Sequence, residues 1–382
     1  MAYYLPGCRS GGPVRTIANF VDHLGDEFDI RIVTRDRDAL DTEPYRDVGV
    51  DEWNTVGKAQ VLYASDQALT LRGIARLLRE TPHDILYLNS FFSFRFTTLP
   101  LLAERLGMAS RRPCVVAPRG EFSPGAIGLK AWKKRSFLAL ARLFGLYSKV
   151  RWQASSENEA KDISRALDKT ASDIIISQNL PPKLNGDPPT ELAPSPRAPG
   201  PLRVVFLSRI TPKKNLDFAI RILEQVSTPM TFDIYGSLSD LKYWEDCRNA
   251  LDRLPPNIWW EYKGAVDHAQ VSVCLKAYDL FFLPTLGENY GHVIAESLWV
   301  GTPVLISDQT PWRELESNGA GWSVPIHSEN EYVSVIHRVA SMQPAEHARA
   351  RKAARLFAYE KLVMNCPLES NRDVFALSRP TS

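Results

Sequence analysis

The sequence predicts an α/β protein of two domains, each a parallel sheet wrapped by helices, facing each other across a ligand cleft. Three observations predict it. Strand-like and helix-like stretches alternate along the chain, the pattern of βαβ units. The alternation stops once, between residues 181 and 201, where eight prolines and two glycines stand, and then restarts. The chain has 382 residues, more than the roughly 250–300 that one hydrophobic core organises. The expected division is a first domain over residues 1–180, a linker over 181–201, a second domain over 202–360, and a terminal segment, 361–382, that packs back on the first domain.

The elements follow in order. Ile17, Phe20, Val21 and Leu24 have the spacing of one helix face, and residues 28–34 (FDIRIVT) read as a strand. A helical stretch at 74–78 leads to a strand at 85–88. A strand at 114–117 precedes a long amphipathic helix at 129–144, and strands near 151–154 and 174–177 close the first half. After the linker, a strand at 204–207 leads to a helix with Leu216, Ala219, Ile220 and Leu223 on one face. Further strands are expected at 232–235, 258–262, 280–283, 303–307 and 321–324, and helices at 329–342 and 345–359. The start is unusual. A first apolar strand should precede the turn at Gly11-Gly12, yet few of the ten residues before it read as one. A late start, or a sheet without its usual first strand, is therefore expected.

Composition narrows the function classes. A net charge of +2 leaves no broad basic field for nucleic acid. The five cysteines (Cys8, Cys114, Cys247, Cys274, Cys366) form no Cys-x-x-Cys pair, and the seven histidines lack metal-ligand spacing. Reduced, buried thiols and no metal site are expected. Residues 1–12 contain no apolar signal core, and no run reaches the ~18 apolar residues of a membrane span, which points to a cytoplasmic chain. The acidic string Asp36-Arg37-Asp38 reads as a solvated turn.

The strongest chemical signal is residues 285–303, TLGENYGHVIAESLWVGTP, which follow an apolar strand and open a helix near Gly291. A helix N-terminus presents free N–H groups and partial positive charge, suited to a diphosphate. Glu288 lies in the loop and Glu296 about a turn into the helix; each carboxylate could accept hydrogen bonds from a vicinal diol. Residues 208–215, SRITPKKN, put Arg209 and Lys214 around a strand-to-helix turn, where two cations can neutralise a leaving diphosphate. Gly11-Gly12-Pro13 opens the first helix and lets backbone approach a phosphate or a sugar. On spacing alone, a solvated acid pair, an exposed basic turn and an ordinary tight turn read equally well.

Together these motifs resemble the family-4 retaining glycosyltransferases, enzymes of the GT-B fold with two Rossmann-like domains. Glu288-Asn289-Tyr290-Gly291, then Glu296 and Gly301-Thr302-Pro303-Val304, match the family's two glutamates seven residues apart. Arg209 and Lys214 match its basic pair, Gly11-Gly12 its N-terminal loop, and Ser155-Ser156-Glu157-Asn158-Glu159 a string at the end of its first domain. The resemblance spans nearly the whole chain. It implies that Arg209 and Lys214 bind the diphosphate of a UDP- or GDP-sugar donor, that Glu296 holds the ribose, and that Glu288 contacts the sugar near the anomeric carbon. Asn289, Tyr290, Gly291 and His292 would complete the phosphate cradle. The stretch Tyr262-Lys263-Gly264-Ala265-Val266, with Ala265 and Val266 at its end, would hold the base. No cofactor or metal is implied.

The sequence departs from the family at the acceptor side. Pro118-Arg119-Gly120-Glu121 stands where many members place a histidine, and Gln153 replaces another. Arg119 stays protonated and is no general base. It could bind an acceptor hydroxyl or an anionic group, with Glu121 a candidate for proton handling. Bacterial surface-polysaccharide enzymes resemble this chain in their Pro-Arg-Gly string, which implies a saccharide or lipid-linked acceptor. Residues 129–150 carry Trp132 among Lys130, Lys133, Lys134 and Arg135. Such a helix can lie on an anionic membrane, at the inner face of the cytoplasmic membrane, or can pack in the core with a wet basic face. Two other functions fit the same architecture: a nucleotide-sugar 2-epimerase, and a non-catalytic nucleotide-sugar-binding partner subunit.

Overall fold

The computed structural model describes residues 1–7, 11–39, 41–123, 131–168, 170, 173–183 and 199–376. The chain forms two compact units, Met1–Lys183 with Pro367–Ser382, and Leu184–Cys366. Of the expected linker, residues 184–198 lie outside the described residues.

In the first unit, β1 (Ile30–Arg35), β2 (Trp53–Val56) and β3 (Ala59–Ala64) form a small sheet in the order β1-β3-β2. β1 begins two residues later than the sequence predicts, because the Phe28 N–H still closes the end of the helix Gly12–Leu24 on the Leu24 carbonyl, 3.0 Å. The β2–β3 hairpin turns at Gly57 and Lys58 and was not expected, since no β2 side chain is fully buried and no apolar alternation marks it. A second sheet, β4 (Leu86–Leu88), β5 (Cys114–Val116), β6 (Val150–Ala154) and β7 (Ile174–Ile176), is all parallel in the order β4-β5-β6-β7. Residues 1–2 run along β1 without becoming a strand. The Met1 amine donates to the Val33 carbonyl, 2.8 Å, and the Arg35 N–H to that of Ala2, 3.4 Å.

The core beneath the second sheet is aromatic. Phe91 stacks on Tyr147 at 4.5 Å between ring centroids, and Trp152 is fully buried beside them. The helix Leu368–Ala376, from the far end of the chain, belongs to this unit. Its Phe375 meets Phe20, Phe28 and Tyr87 at 5.0, 5.5 and 5.4 Å, and Arg372 forms a two-point ion pair with Glu27. The Asp36-Arg37-Asp38 string is not a solvated turn. Both carboxylates are buried, Asp36 accepting from Arg37 and Asp38 from the Ala39 N–H, with Gly7 packed close against Asp38. Among the described residues no group of three metal-ligating side chains occurs, and no helix is long and apolar enough to cross a membrane. Cys114 and Cys247 are buried, whereas Cys274 and Cys366 are only half-buried; Cys8 lies outside the described residues.

The second unit is one six-stranded parallel sheet. Its strands are β8 (Leu202–Leu207), β9 (Met230–Tyr235), β10 (Ile258–Gly264), β11 (Leu280–Leu283), β12 (Val304–Ser307) and β13 (Gly321–Val324), in the order β10-β9-β8-β11-β12-β13. β11 and β12 are buried on both faces and β8 nearly so, which is why they read as continuous apolar runs. The strand order reverses direction between β8 and β11. Beyond the carboxyl ends of two strands at such a reversal is the place where parallel sheets of this kind bind ligands.

Candidate donor site at the strand-order reversal

The two motif loops leave the two strands that flank the reversal. After β8 the chain makes a short 3-10 turn, Pro212–Lys214, and Asn215 takes a left-handed conformation, φ 63°, before the helix Leu216–Leu223. Asparagine tolerates that region better than most residues. The buried Asn215 amide donates to the Pro284 carbonyl just after β11, 2.9 Å. The Leu286 N–H donates to the Lys213 carbonyl at 2.9 Å, and the Thr285 hydroxyl reaches the same oxygen at 3.1 Å. These bonds tie one loop to the other.

The result brings Lys214 and Glu288 into contact as an ion pair. The two side chains keep only 14% and 12% of their surface in water. Thr285 lies 3.2 Å from the same carboxylate oxygen, and the Glu288 N–H donates to Gln309 at 3.0 Å. Burial pushes the Glu288 carboxyl up, but the Lys214 ammonium, with Lys213 and the Thr285 hydroxyl, outweighs it and holds the group below its usual range. Glu288 is thus a carboxylate at neutral pH, already beside a cation.

Gly291 caps the helix His292–Trp299 with φ 80°, and a Cβ there would sit 2.7 Å from the Ile294 side chain. Only glycine gives the helix this start. The Trp312 indole N–H donates to the Tyr290 carbonyl and fixes the residue before the cap. The Asn289 amide nitrogen is buried without a hydrogen-bond partner among the described residues, a donor left open inside the loop. Glu296, on the helix, keeps 12% of its side-chain surface and lies 3.5 Å from His268. His268 opens the helix His268–Lys276, directly after the loop that holds Ala265 and Val266. Arg209 is exposed and makes no side-chain ion pair or hydrogen bond among the described residues.

Gly236, after β9, was not singled out from the sequence. It has φ 146°, and a Cβ would come within 1.7 Å of the Ser208 carbonyl, so β9 can end here only with glycine. Thr285 and Asn215 were missed in the same way. Their signals were present: Asn215 stands in the cap position before an apolar helix, and Thr285 ends a strand.

The first unit holds the remaining candidates. Gly11 has φ 64° and caps the helix Gly12–Leu24, but residues 8–10 before it lie outside the described residues. Arg119, with φ 55°, follows β5. Its guanidinium donates to Asn89 at 2.7 Å, Asn179 at 2.6 Å and the Tyr87 hydroxyl at 2.6 Å. The Gly120 N–H donates to buried Glu159, which also accepts from Ser155. Both oxygens of Glu121 are taken by Ser90, Phe91 and Phe92, so this carboxylate holds a turn rather than standing open for a proton; burial raises its pKa against those bonds. Gln153 accepts from Tyr87 and donates to Ser177, 3.3 Å.

Residues 189–357 match the model of the glycosyl transferases group 1 family. The second unit is thus similar to the glycosyl transferases group 1 family. The putative colanic acid biosynthesis glycosyltransferase WcaL of Salmonella typhimurium is 28% identical over 161 residues, 40% of this chain and 39% of that protein. The amylovoran biosynthesis glycosyltransferase AmsK of Erwinia amylovora is 31% identical over 159 residues, 37% of this chain and 36% of that one. The chain thus matches about two-fifths of the length of these relatives. The structure of Anabaena HepE in complex with UDP-glucose superposes with a TM-score of 0.70 at 16% identity, over 98% of both chains. WaaG, a glycosyltransferase involved in lipopolysaccharide biosynthesis, gives 0.63 at 14% identity, also over 98% of both. The fold is GT-B, two Rossmann-like domains.

Proposed function

We propose that this chain is a retaining glycosyltransferase of the family-4 type. It would move a sugar from a UDP- or GDP-sugar to a saccharide or lipid-linked saccharide, in polysaccharide or glycolipid assembly. The Lys214–Glu288 pair at the strand-order reversal carries the reading. Transfer needs a cation for the leaving diphosphate and an acidic group by the carbon that develops positive charge, and this loop pair supplies both at one point. Arg209 would close over the diphosphate, its side chain lying free in solvent until then. The helix that begins after Gly291 would add its N-terminal N–H groups. Glu296 would accept the ribose hydroxyls, and the loop holding Ala265 and Val266 would border the base. That HepE was crystallised with UDP-glucose supports a nucleotide-sugar donor.

The acceptor side would work at a membrane surface. On the helix Ala131–Leu143 and just after it, Trp132, Leu140, Leu143 and Phe144 are 70%, 54%, 77% and 66% exposed. Phe137, Leu138 and Ala141 face the core instead. An outward apolar stripe on a segment whose sequence also carries lysines and arginines is the pattern of an interfacial helix, and it would hold the enzyme peripherally at an anionic leaflet. Residues 124–130, with Lys130, and the side chains of Lys133 and Arg135 lie outside the described residues.

The test is calorimetry with UDP, GDP, ADP and CMP. One diphosphate should bind at micromolar concentration, and Arg209→Ala and Lys214→Ala should each weaken it at least tenfold. A folded wild type that binds none of them would overturn the donor site. Turnover of the sugar nucleotide without any acceptor would point to epimerisation.

A further inference from the structure

We infer that Arg119 anchors an anion site, one that takes the carboxylate or phosphate group of an acidic saccharide acceptor. The inference rests on the transferase reading for the word acceptor, but the site itself rests on the first unit alone.

Arg119 stands immediately beyond β5, at the carboxyl end of a four-stranded parallel sheet, where such sheets bind ligands. Its backbone is left-handed, and so is that of Gly120, φ 76°. A non-glycine residue in that region is a strained arrangement that clusters at binding sites. The strain aims the guanidinium back across the strand ends. There it meets Asn89 after β4, Asn179 after β7 and Tyr87 on β4.

All three of these partners are neutral oxygens. Among the described residues no carboxylate comes within ion-pair distance of Arg119. Arg203, half-buried at the start of β8, is by contrast paired with buried Asp279 at 2.8 Å. The two acids beside Arg119 in the fold are committed elsewhere. Glu121 holds the turn at Ser90, Phe91 and Phe92, and Glu159 holds Ser155 and Gly120. A half-buried cation without a counter-ion is costly, so its position is explained when a ligand brings the counter-ion.

The donors that remain fit an oxyanion. A guanidinium has five N–H groups, and three are used, which leaves one on each terminal nitrogen. The Asn89 amide has given its oxygen to Arg119, and its nitrogen is buried without a partner. The set is a positive charge with N–H groups open on three nitrogens, matched to a carboxylate or phosphate rather than to a neutral hydroxyl. Its geometry is held from behind, since Tyr87 donates to Gln153 and Gln153 to Ser177. The donor diphosphate is served by Arg209, Lys214 and the Gly291 helix of the other unit. The anion at Arg119 is therefore assigned to the acceptor.

The experiment titrates the full chain with glucuronic acid, glucose 6-phosphate and glucose, in the presence of UDP or GDP, whichever binds. The readouts are dissociation constants at low and high salt and the Arg119 Nε–H resonance. The two acids should bind at least tenfold tighter than glucose, more weakly at high salt, and should shift that resonance. Arg119→Met should abolish the preference and Arg119→Lys keep part of it, with nucleotide affinity unchanged in both. Asn89→Leu, which leaves the charge, should weaken the acids severalfold and serves if Arg119→Met does not fold. Equal binding of acid and neutral sugars, no binding of the acids, or a preference that survives in Arg119→Met overturns the inference. Loss of nucleotide binding in Arg119→Met would assign the anion to the donor and overturn it as well. A wild type that prefers the acids but binds no nucleotide keeps the anion site and removes the transferase.

Discussion

At the scale of single residues, the contact between Lys214 and Glu288 would set what the proposed donor has to do on arrival. A diphosphate that takes Lys214 competes with a carboxylate already there. On the proposed function, Glu288→Gln would remove that competitor together with the negative charge beside the reacting carbon. The expected outcome is a split: nucleoside diphosphate binding several times tighter by calorimetry, with turnover lowered by two or more orders of magnitude. Loss of binding and turnover together would make Glu288 a scaffold for its loop. The sign of the pH effect follows from the same pair. A carboxyl held below its unfolded value, about 4.3 for glutamate, stabilises the fold above that pH and loses the contribution as pH falls through the folded value. The stability gap between wild type and Glu288→Gln in chemical denaturation should therefore narrow below about pH 4. A gap that stays constant down to pH 3 would refute the electrostatic account.

At the scale of elements, the site depends on where strands stop. β9 can end only at a residue without a side chain, because the Ser208 carbonyl occupies the space beside Gly236. Gly236→Ala should cost roughly 2–4 kcal/mol and displace the loop that carries Arg209 and Lys214. Thermal unfolding and nucleotide affinity measured together check this, and a variant as stable as wild type would refute it. This scale also separates what the sequence made legible from what it hid. The strands of the second sheet were legible because β8, β11 and β12 are apolar on both faces. The loop residues Lys214, Glu288 and Gly291 were legible because each sits within a few positions of a strand or helix end. The β2–β3 hairpin was hidden by its wet face. The surroundings of Arg119 were hidden for another reason. Tyr87, Asn89, Gln153 and Asn179 come from three strands and share no local spacing, so only the parallel register of β4 to β7 brings them together. The closed state of Glu121 was invisible too, since its partners lie some thirty positions earlier in the chain.

At the scale of the whole molecule, surface and chain order come into play. The outward stripe of Trp132, Leu140, Leu143 and Phe144 should insert into a bilayer interface. Leu143→Glu with Phe144→Glu should abolish most binding to vesicles containing phosphatidylglycerol, while nucleotide affinity is kept. Full vesicle binding by that double variant would refute the membrane face. Chain order matters in another way. Phe375 fills the space between Phe20, Phe28 and Tyr87, yet it is made after every residue of the second unit. During synthesis the second unit can finish folding on the ribosome while the first, begun earlier, still waits for its last helix. The nascent first unit exposes an aromatic notch throughout that interval. A stalled or cleaved chain ending before residue 367 would keep the notch open, a ready target for chaperones and proteases.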